Sequence, residues 1–263
     1  MNECLAAVAI RQLNRPEALL KSPKAGVDVH RLRDEPAEHL RPNAASFPKA
    51  RAPWLKPDPI RRATLRAALP PGAGLRCGLS RRSQAATLVS RKSVPLKARA
   101  EVVAPPGVQL VCQQYGVKKE ELMALRQETG IEVLGLAGLD LRNDLESLAP
   151  LISCCNLVIT ISNAIGHISG ALGKATWLLL HQVPDWPWRL EGPTTPWQPS
   201  LRLFRQNQAG DWRESLGRLR TSLLHQLQIA GWGCPNSMDR SHAAISINLA
   251  RCAWRSSNWI GLK

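Results

Sequence analysis

No two of the seven cysteines, Cys4, Cys77, Cys112, Cys154, Cys155, Cys234 and Cys252, stand in a C-x-x-C arrangement. The common zinc frameworks are therefore disfavoured, and the odd count fits a reducing compartment better than a disulfide scaffold. Phosphate-binding signatures are missing too. Gly173-Lys174 resembles the end of a P-loop, but Ile168 stands where the loop's first glycine would be, and Ala175 replaces the required Ser or Thr. No G-x-G-x-x-G follows a strand, which disfavours a nicotinamide enzyme. The chain has no uninterrupted apolar stretch able to span a bilayer. Its start, with Glu3 ahead of a brief apolar run, has no cleavage-site pattern, so the expected location is the cytoplasm. No internal repeat is visible. Helix-turn-helix, zinc-finger and RNA-binding signatures are absent, so the net charge of +15 does not by itself indicate a specific nucleic-acid partner. That charge is spread along the chain, which leaves nonspecific adhesion to nucleic acid, or contact with an anionic membrane surface, as weaker alternatives.

What the chain does have is concentrated in residues 156–180, NLVITISNAIGHISGALGKATWLLL. Leu157, Val158, Ile159 and Ile161 form the near-continuous apolar run of a strand covered on both faces. A short polar turn then opens a glycine-dotted helix, and a second apolar strand closes a βαβ unit. The first N–H groups of such a helix lack intrahelical partners and lie at the strand's carboxyl end, where open α/β sheets bind ligands. Asn163, Ala164, Ile165, Gly166 and His167 are thus candidate anion-binding residues. The alternative is a βαβ unit that only holds the sheet together. Gly170 and Gly173 read as a close-packing position and a helix end.

Around this unit, strands and helices alternate. Strands are expected at 75–80, 108–112, 131–134, 157–161, 176–180 and 201–206. Helices are expected at 59–68, 96–103, 118–129 and 145–155, another opens from the turn at 162–167, and the last runs over 211–228 with Trp212, Leu216, Leu219, Leu223 and Leu227 at helical spacing. Pro59 suits a first helical turn, and Asp144 suits a helix start. The pattern implies a doubly wound, mostly parallel, Rossmann-like α/β sheet. Arg81, Arg82, Arg91 and Lys92 make a basic cluster beside the expected phosphate crevice. Cys77 and Cys112 read as small buried hydrophobes. His30, His39, His225 and His242 have no partner pattern, whereas His181 follows a strand at the same edge as His167. Trp186 and Trp188 suit either stacking on a base or covering the core, the second being the safer reading.

Taken in order, APWLKPDPIRRATLRAALPPGAGLRCGLSRRSQ, RKSVPL, VQLVCQQYG, the 144–180 stretch, PDWPW, PW and LRLFRQ resemble the carboxyl-terminal half of a GT-B glycosyltransferase over roughly residues 52–227. Specifically, the stretch is similar to glycosyltransferase family 9, the heptosyltransferase-like domains often joined to tetratricopeptide repeats. The resemblance implies a lobe that binds a nucleotide sugar as donor substrate, with no further cofactor and no metal. It assigns donor contacts to Ser80, Arg82, Asn163, Ala164, Ile165, Gly166 and His167, and leaves the catalytic residues unknown. Many relatives carry Asp-Thr where this chain has Ser162-Asn163. Others carry two hydroxyl residues where it has Ala164 and Ile165, and most a tryptophan where it has Arg81. Each neutral hydrogen bond lost this way is worth about 0.5 to 1.5 kcal/mol.

The domain organisation expected is an irregular proline-rich segment at 1–51, a linker and short helix at 52–73, the lobe at 74–229, and an irregular, tryptophan-containing basic tail at 230–263. An acceptor lobe or repeat-bearing partner would have to come from elsewhere. The chain alone is then expected to be inactive and truncated, the alternative being a non-catalytic nucleotide-binding or interaction module.

Overall fold

The computed structural model describes residues 41, 43–47, 53–72, 74–82, 93–136 and 138–232. Of the two end segments expected to be irregular, only residues 41, 43–47 and 230–232 are described, with a 3-10 turn at Ala44–Ser46; the rest of them, with Cys4, Cys234 and Cys252, and also Arg91 and Lys92 lie outside the described residues.

Asp58 and Pro59 start the first helix, α1 (Pro59–Ala68): the Asp58 carboxylate accepts from Arg61 N at 2.7 Å, and proline, which has no N–H to leave unpaired, sits in the first turn. Then come β1 (Leu75–Leu79), α2 (Leu96–Val103), β2 (Val108–Cys112), α3 (Lys119–Thr129) and β3 (Val133–Leu134). The second half holds α4 (Leu145–Ser153), β4 (Leu157–Ile161), α5 (Ala164–Ala171), β5 (Thr176–Leu180), β6 (Leu201–Arg205) and α6 (Arg213–Ile229). A single 3-10 turn at Trp186–Trp188 interrupts the link between β5 and β6.

All six strands pair in parallel, in the order β3-β2-β1-β4-β5-β6. The sheet is a doubly wound, Rossmann-like α/β sheet, as the alternation of elements implied. Side-chain alternation splits each strand between two apolar layers. Leu157, Ile159 and Ile161 of β4 join Leu75, Cys77 and Leu79 of β1 on one face, under Leu216, Leu219, Leu223 and Leu227 of α6. Val158 and Val111 point the other way, into a layer built with α1, α4 and α5. Both faces are therefore dry, which is why β4 reads as a continuous apolar run. Cys77 and Cys112 lie in this core, and burial pushes both thiols up.

Two glycines behave as their positions required. A Cβ on Gly170 would collide with the Gln198 carboxamide, and Gly173, just past α5, has a φ of +62°. Lys174 has a structural task. Its ammonium donates to Cys155 O at 2.6 Å and Ser153 O at 3.3 Å, closing the carboxyl end of α4, and burial lowers its pKa. No helix among the described residues is long and apolar enough to cross a membrane.

Candidate functional site

The order of connection reverses between β1 and β4, which are hydrogen-bonded neighbours although β2 and β3 lie between them in the chain. A crevice opens at such a switch point, because the chain leaves the two carboxyl ends in opposite directions. Ser80 follows β1 and Ser162-Asn163 follows β4, so these residues meet there. Asn163 Nδ2 donates to Ser80 Oγ at 2.8 Å, bridging the two strand ends across 83 residues of sequence.

Asn163 does more than bridge. Its Oδ1 accepts from Ile165 N at 3.1 Å, from Gly166 N at 3.3 Å and from Thr160 Oγ1 at 3.0 Å. The residue is thus the N-cap of α5. This changes the expected picture of the helix start. Two of the N–H groups that a bound anion would use are already satisfied by the chain's own carboxamide. Ala164, at the first helical position, is half-buried, while Ile165 and Gly166 are buried.

Gln114, at the carboxyl end of β2, is the hub on the other side. Its Oε1 accepts from Ser80 Oγ at 3.3 Å, Arg81 N at 3.0 Å and Arg82 N at 2.9 Å. Three consecutive residues after β1 are thereby held to one carboxamide. Sequence reading missed this role. The one available signal was Gln114's place at a strand's carboxyl end, where such sheets gather their polar groups.

The basic cluster is arranged differently from expectation. Arg81 pairs with Glu121 of α3, and Arg82 donates from Nη2 to Gly116 O at 2.5 Å, with the same carboxylate 3.8 Å away. Both guanidinium groups are drawn toward α3, so their charge is partly neutralised on that side of the crevice. Burial, and then Arg82, lower the pKa of Arg81.

His167 lies one turn into α5, half-buried, with its ring stacked on Trp188 at 4.6 Å between centroids. Trp188 is fully enclosed, and its Nε1 donates to Ser162 Oγ at 2.9 Å. Ser162 Oγ in turn donates to Asp185 Oδ2 at 2.5 Å. The loop carrying both indoles is pinned from β6, where the Arg205 guanidinium donates to the carbonyls of Trp188, Arg189, Glu191 and Gly192 at 2.6 to 3.2 Å. Core cover was the right reading for Trp188. Trp186 remains 49% exposed and packs edge-on against Trp197. His181 follows β5 directly and is half-buried.

The site is thus a polar seam along the carboxyl ends of β2, β1 and β4, flanked by the stacked His167 and Trp188. It presents hydroxyl, amide and imidazole groups, and no cluster of three or more His, Cys, Asp or Glu suited to a metal ion occurs among the described residues.

No family model matches the chain. Protein FlbA of Caulobacter vibrioides is 37% identical over 186 residues, covering 70% of this chain and 31% of its own length. The chain therefore spans about a third of that curated relative. A crystal structure of the glycosyl transferase family 9 from Veillonella parvula is similar over 66% of this chain and 52% of that one, with a TM-score of 0.47 and 13% identity.

Proposed function

We propose that this chain is a glycosyltransferase-like lobe that binds the diphosphate portion of a nucleotide-activated sugar at the carboxyl ends of β1 and β4. The observation that carries the reading is the Ser80 to Asn163 bridge at the switch point of a parallel sheet. The ordered motifs over residues 52–227, which resemble the carboxyl-terminal half of a heptosyltransferase-like enzyme, give that crevice a ligand class. His167 is assigned to a ligand phosphate from its place at the start of α5, with Trp188 fixing the ring's plane. Donor affinity is expected to be weak, because Asn163 already occupies part of the helix start and Ala164 and Ile165 offer no hydroxyl. An acceptor site is assigned to a second lobe or a repeat-bearing partner, and the cytoplasm to the place of work.

Calorimetric titration with UDP, GDP and ADP tests the reading. A nucleoside diphosphate should bind, and His167→Ala should weaken it by about 1.5 to 3 kcal/mol, the range for a hydrogen bond to a charged group. Absence of heat with all three nucleotides, on protein shown to be folded, would overturn it. Equal competition by random DNA and by free nucleotide would point to nonspecific polyanion binding instead.

A further inference from the structure

Helix α2 carries a cation in the wrong solvent. Arg99 is 0% exposed and sits among Ala100 and Val103, which are equally enclosed. Its Nη1 donates to Ser80 O at 2.5 Å. Nε and Nη2 are both buried and have no hydrogen-bond partner. Among the described residues no carboxylate pairs with it. The titratable groups that face it are the Cys77 thiol and the like-charged Arg81. Burial, the larger effect, and the repulsion from Arg81 bring its pKa down to about 9, so the group still carries its charge at neutral pH.

An enclosed charge with neither a counter-ion nor a full set of hydrogen bonds costs more than an apolar residue of similar size at the same place. The two unpartnered donors also have a geometry. Nε–H and the adjacent Nη2–H lie along one edge of the planar guanidinium and point in parallel, the fork that grips two oxygens of one oxyanion. The third nitrogen is tied to the carbonyl of Ser80, whose hydroxyl belongs to the seam at the switch point.

We propose that Arg99 is the buried half of an anion site at the carboxyl end of β1, taking a phosphate-type oxyanion on its Nε and Nη2 edge beside Ser80. One source of that oxyanion is the diphosphate of the nucleotide sugar, in which case the inference rests on the reading given above. The other is free phosphate or pyrophosphate, for which the site stands alone.

Thermal unfolding at fixed ionic strength, with inorganic pyrophosphate, UDP or uridine added, tests the site on the wild-type chain and on Arg99→Leu and Arg99→Met. Pyrophosphate at saturating concentration should raise the wild-type Tm by about 3 °C or more. Both variants should melt at or above the ligand-free wild type, because a buried charge has been replaced by an apolar side chain, and both should lose the pyrophosphate shift. Uridine should be silent throughout. A wild-type Tm unmoved by pyrophosphate would overturn the proposal, and so would a shift that survives in the variants. Variants that both melt well below the wild type would identify Arg99 as a structural strut and overturn it as well. A pyrophosphate shift that depends on Arg99, with UDP inert in calorimetry, would uphold the anion site while removing the nucleotide reading. UDP binding equally well to wild type and Arg99→Leu, with no Arg99-dependent pyrophosphate shift, would do the reverse.

Discussion

Asn163 shows how much a single side chain can settle at a strand end. Its carboxamide receives three hydrogen bonds and donates one, and the groups it serves are buried. Asn163→Ala should therefore cost more than an ordinary cap. Ile165 N–H loses its acceptor, and Gly166 N–H and the Thr160 hydroxyl fall back on the backbone carbonyls of Asn163 and Ile161, for a total of about 1 to 3 kcal/mol in urea unfolding. Asn163→Asp should retain most of that stability, because a carboxylate still accepts from all three and Ser80 can turn its hydroxyl to donate. Equal losses in the two variants would show that the bridge to Ser80 outweighs the cap. The sequence singled out Asn163 from the turn after a recognisable strand, and Ser80 only through the family resemblance. It was silent on Gln114 and Arg99, whose roles exist only once β2 and α2 are laid against β1. A lone arginine on a short helix looks the same in sequence whether it faces water or core.

At the scale of elements, existence and type were legible and boundaries were not, for local reasons. The third strand was expected over 131–134, but only Val133 and Leu134 pair, with Leu110 and Val111. Helix α4 stops at Ser153, short of the expected 155, where Lys174 takes over the carbonyls of Ser153 and Cys155. Helix α6 begins at Arg213 and not at 211, because the Asp211 carboxylate accepts from Arg213 N at 2.9 Å and grips its guanidinium. Those bonds hold Asp211 down to about 2, below the usual carboxylate range. The folded pKa lies below the unfolded one, so the contribution is present above about pH 4 and is lost as pH falls toward 2. An NMR titration of the Asp211 carboxyl should show a midpoint near that low value, rising with added salt because the Arg213 guanidinium it pairs with is exposed. The start of α4 offers a cleaner energetic test. Asp144 accepts from Ser147 N at 2.9 Å and pairs with Arg61 of α1 at 3.4 Å. Asp144→Asn keeps the cap and removes the ion pair, and should cost less than about 1 kcal/mol. Asp144→Ala removes both and should cost about 0.5 to 2 kcal/mol more. If the two variants unfold at the same denaturant concentration, the cap carries no weight.

At the scale of the molecule, the alternation of strands and helices announced a doubly wound sheet, but the strand order could not be read from it. β1 lies between β2 and β4 because Cys77 pairs with both Leu110 and Leu157, contacts distant along the chain that no local pattern encodes. That order creates the switch point, where Ser80, Gln114 and Asn163 interlock in a way that no local pattern encodes. It also bears on turnover. The described residues build one sheet with one polar seam, and in the two-lobed transferases that the chain resembles, the acceptor is held by the opposite lobe. Bringing donor and acceptor together in the reacting geometry supplies up to about 7 to 11 kcal/mol of rate acceleration. The base that takes the acceptor's proton must also lie within hydrogen-bond reach of that hydroxyl. Neither requirement is met by the side chains described in the seam, where Asp185 accepts from Ser162 and Glu121 pairs with Arg81. We therefore expect the purified chain, incubated with labelled nucleotide sugars and candidate acceptors, to show nucleotide binding and at most slow donor hydrolysis, since water needs no acceptor site. A companion lobe or repeat-bearing partner added in trans should be needed for transfer. Multiple-turnover glycosylation by this chain on its own would mean that an acceptor site lies within it, and the assignment to a second lobe would have to be abandoned.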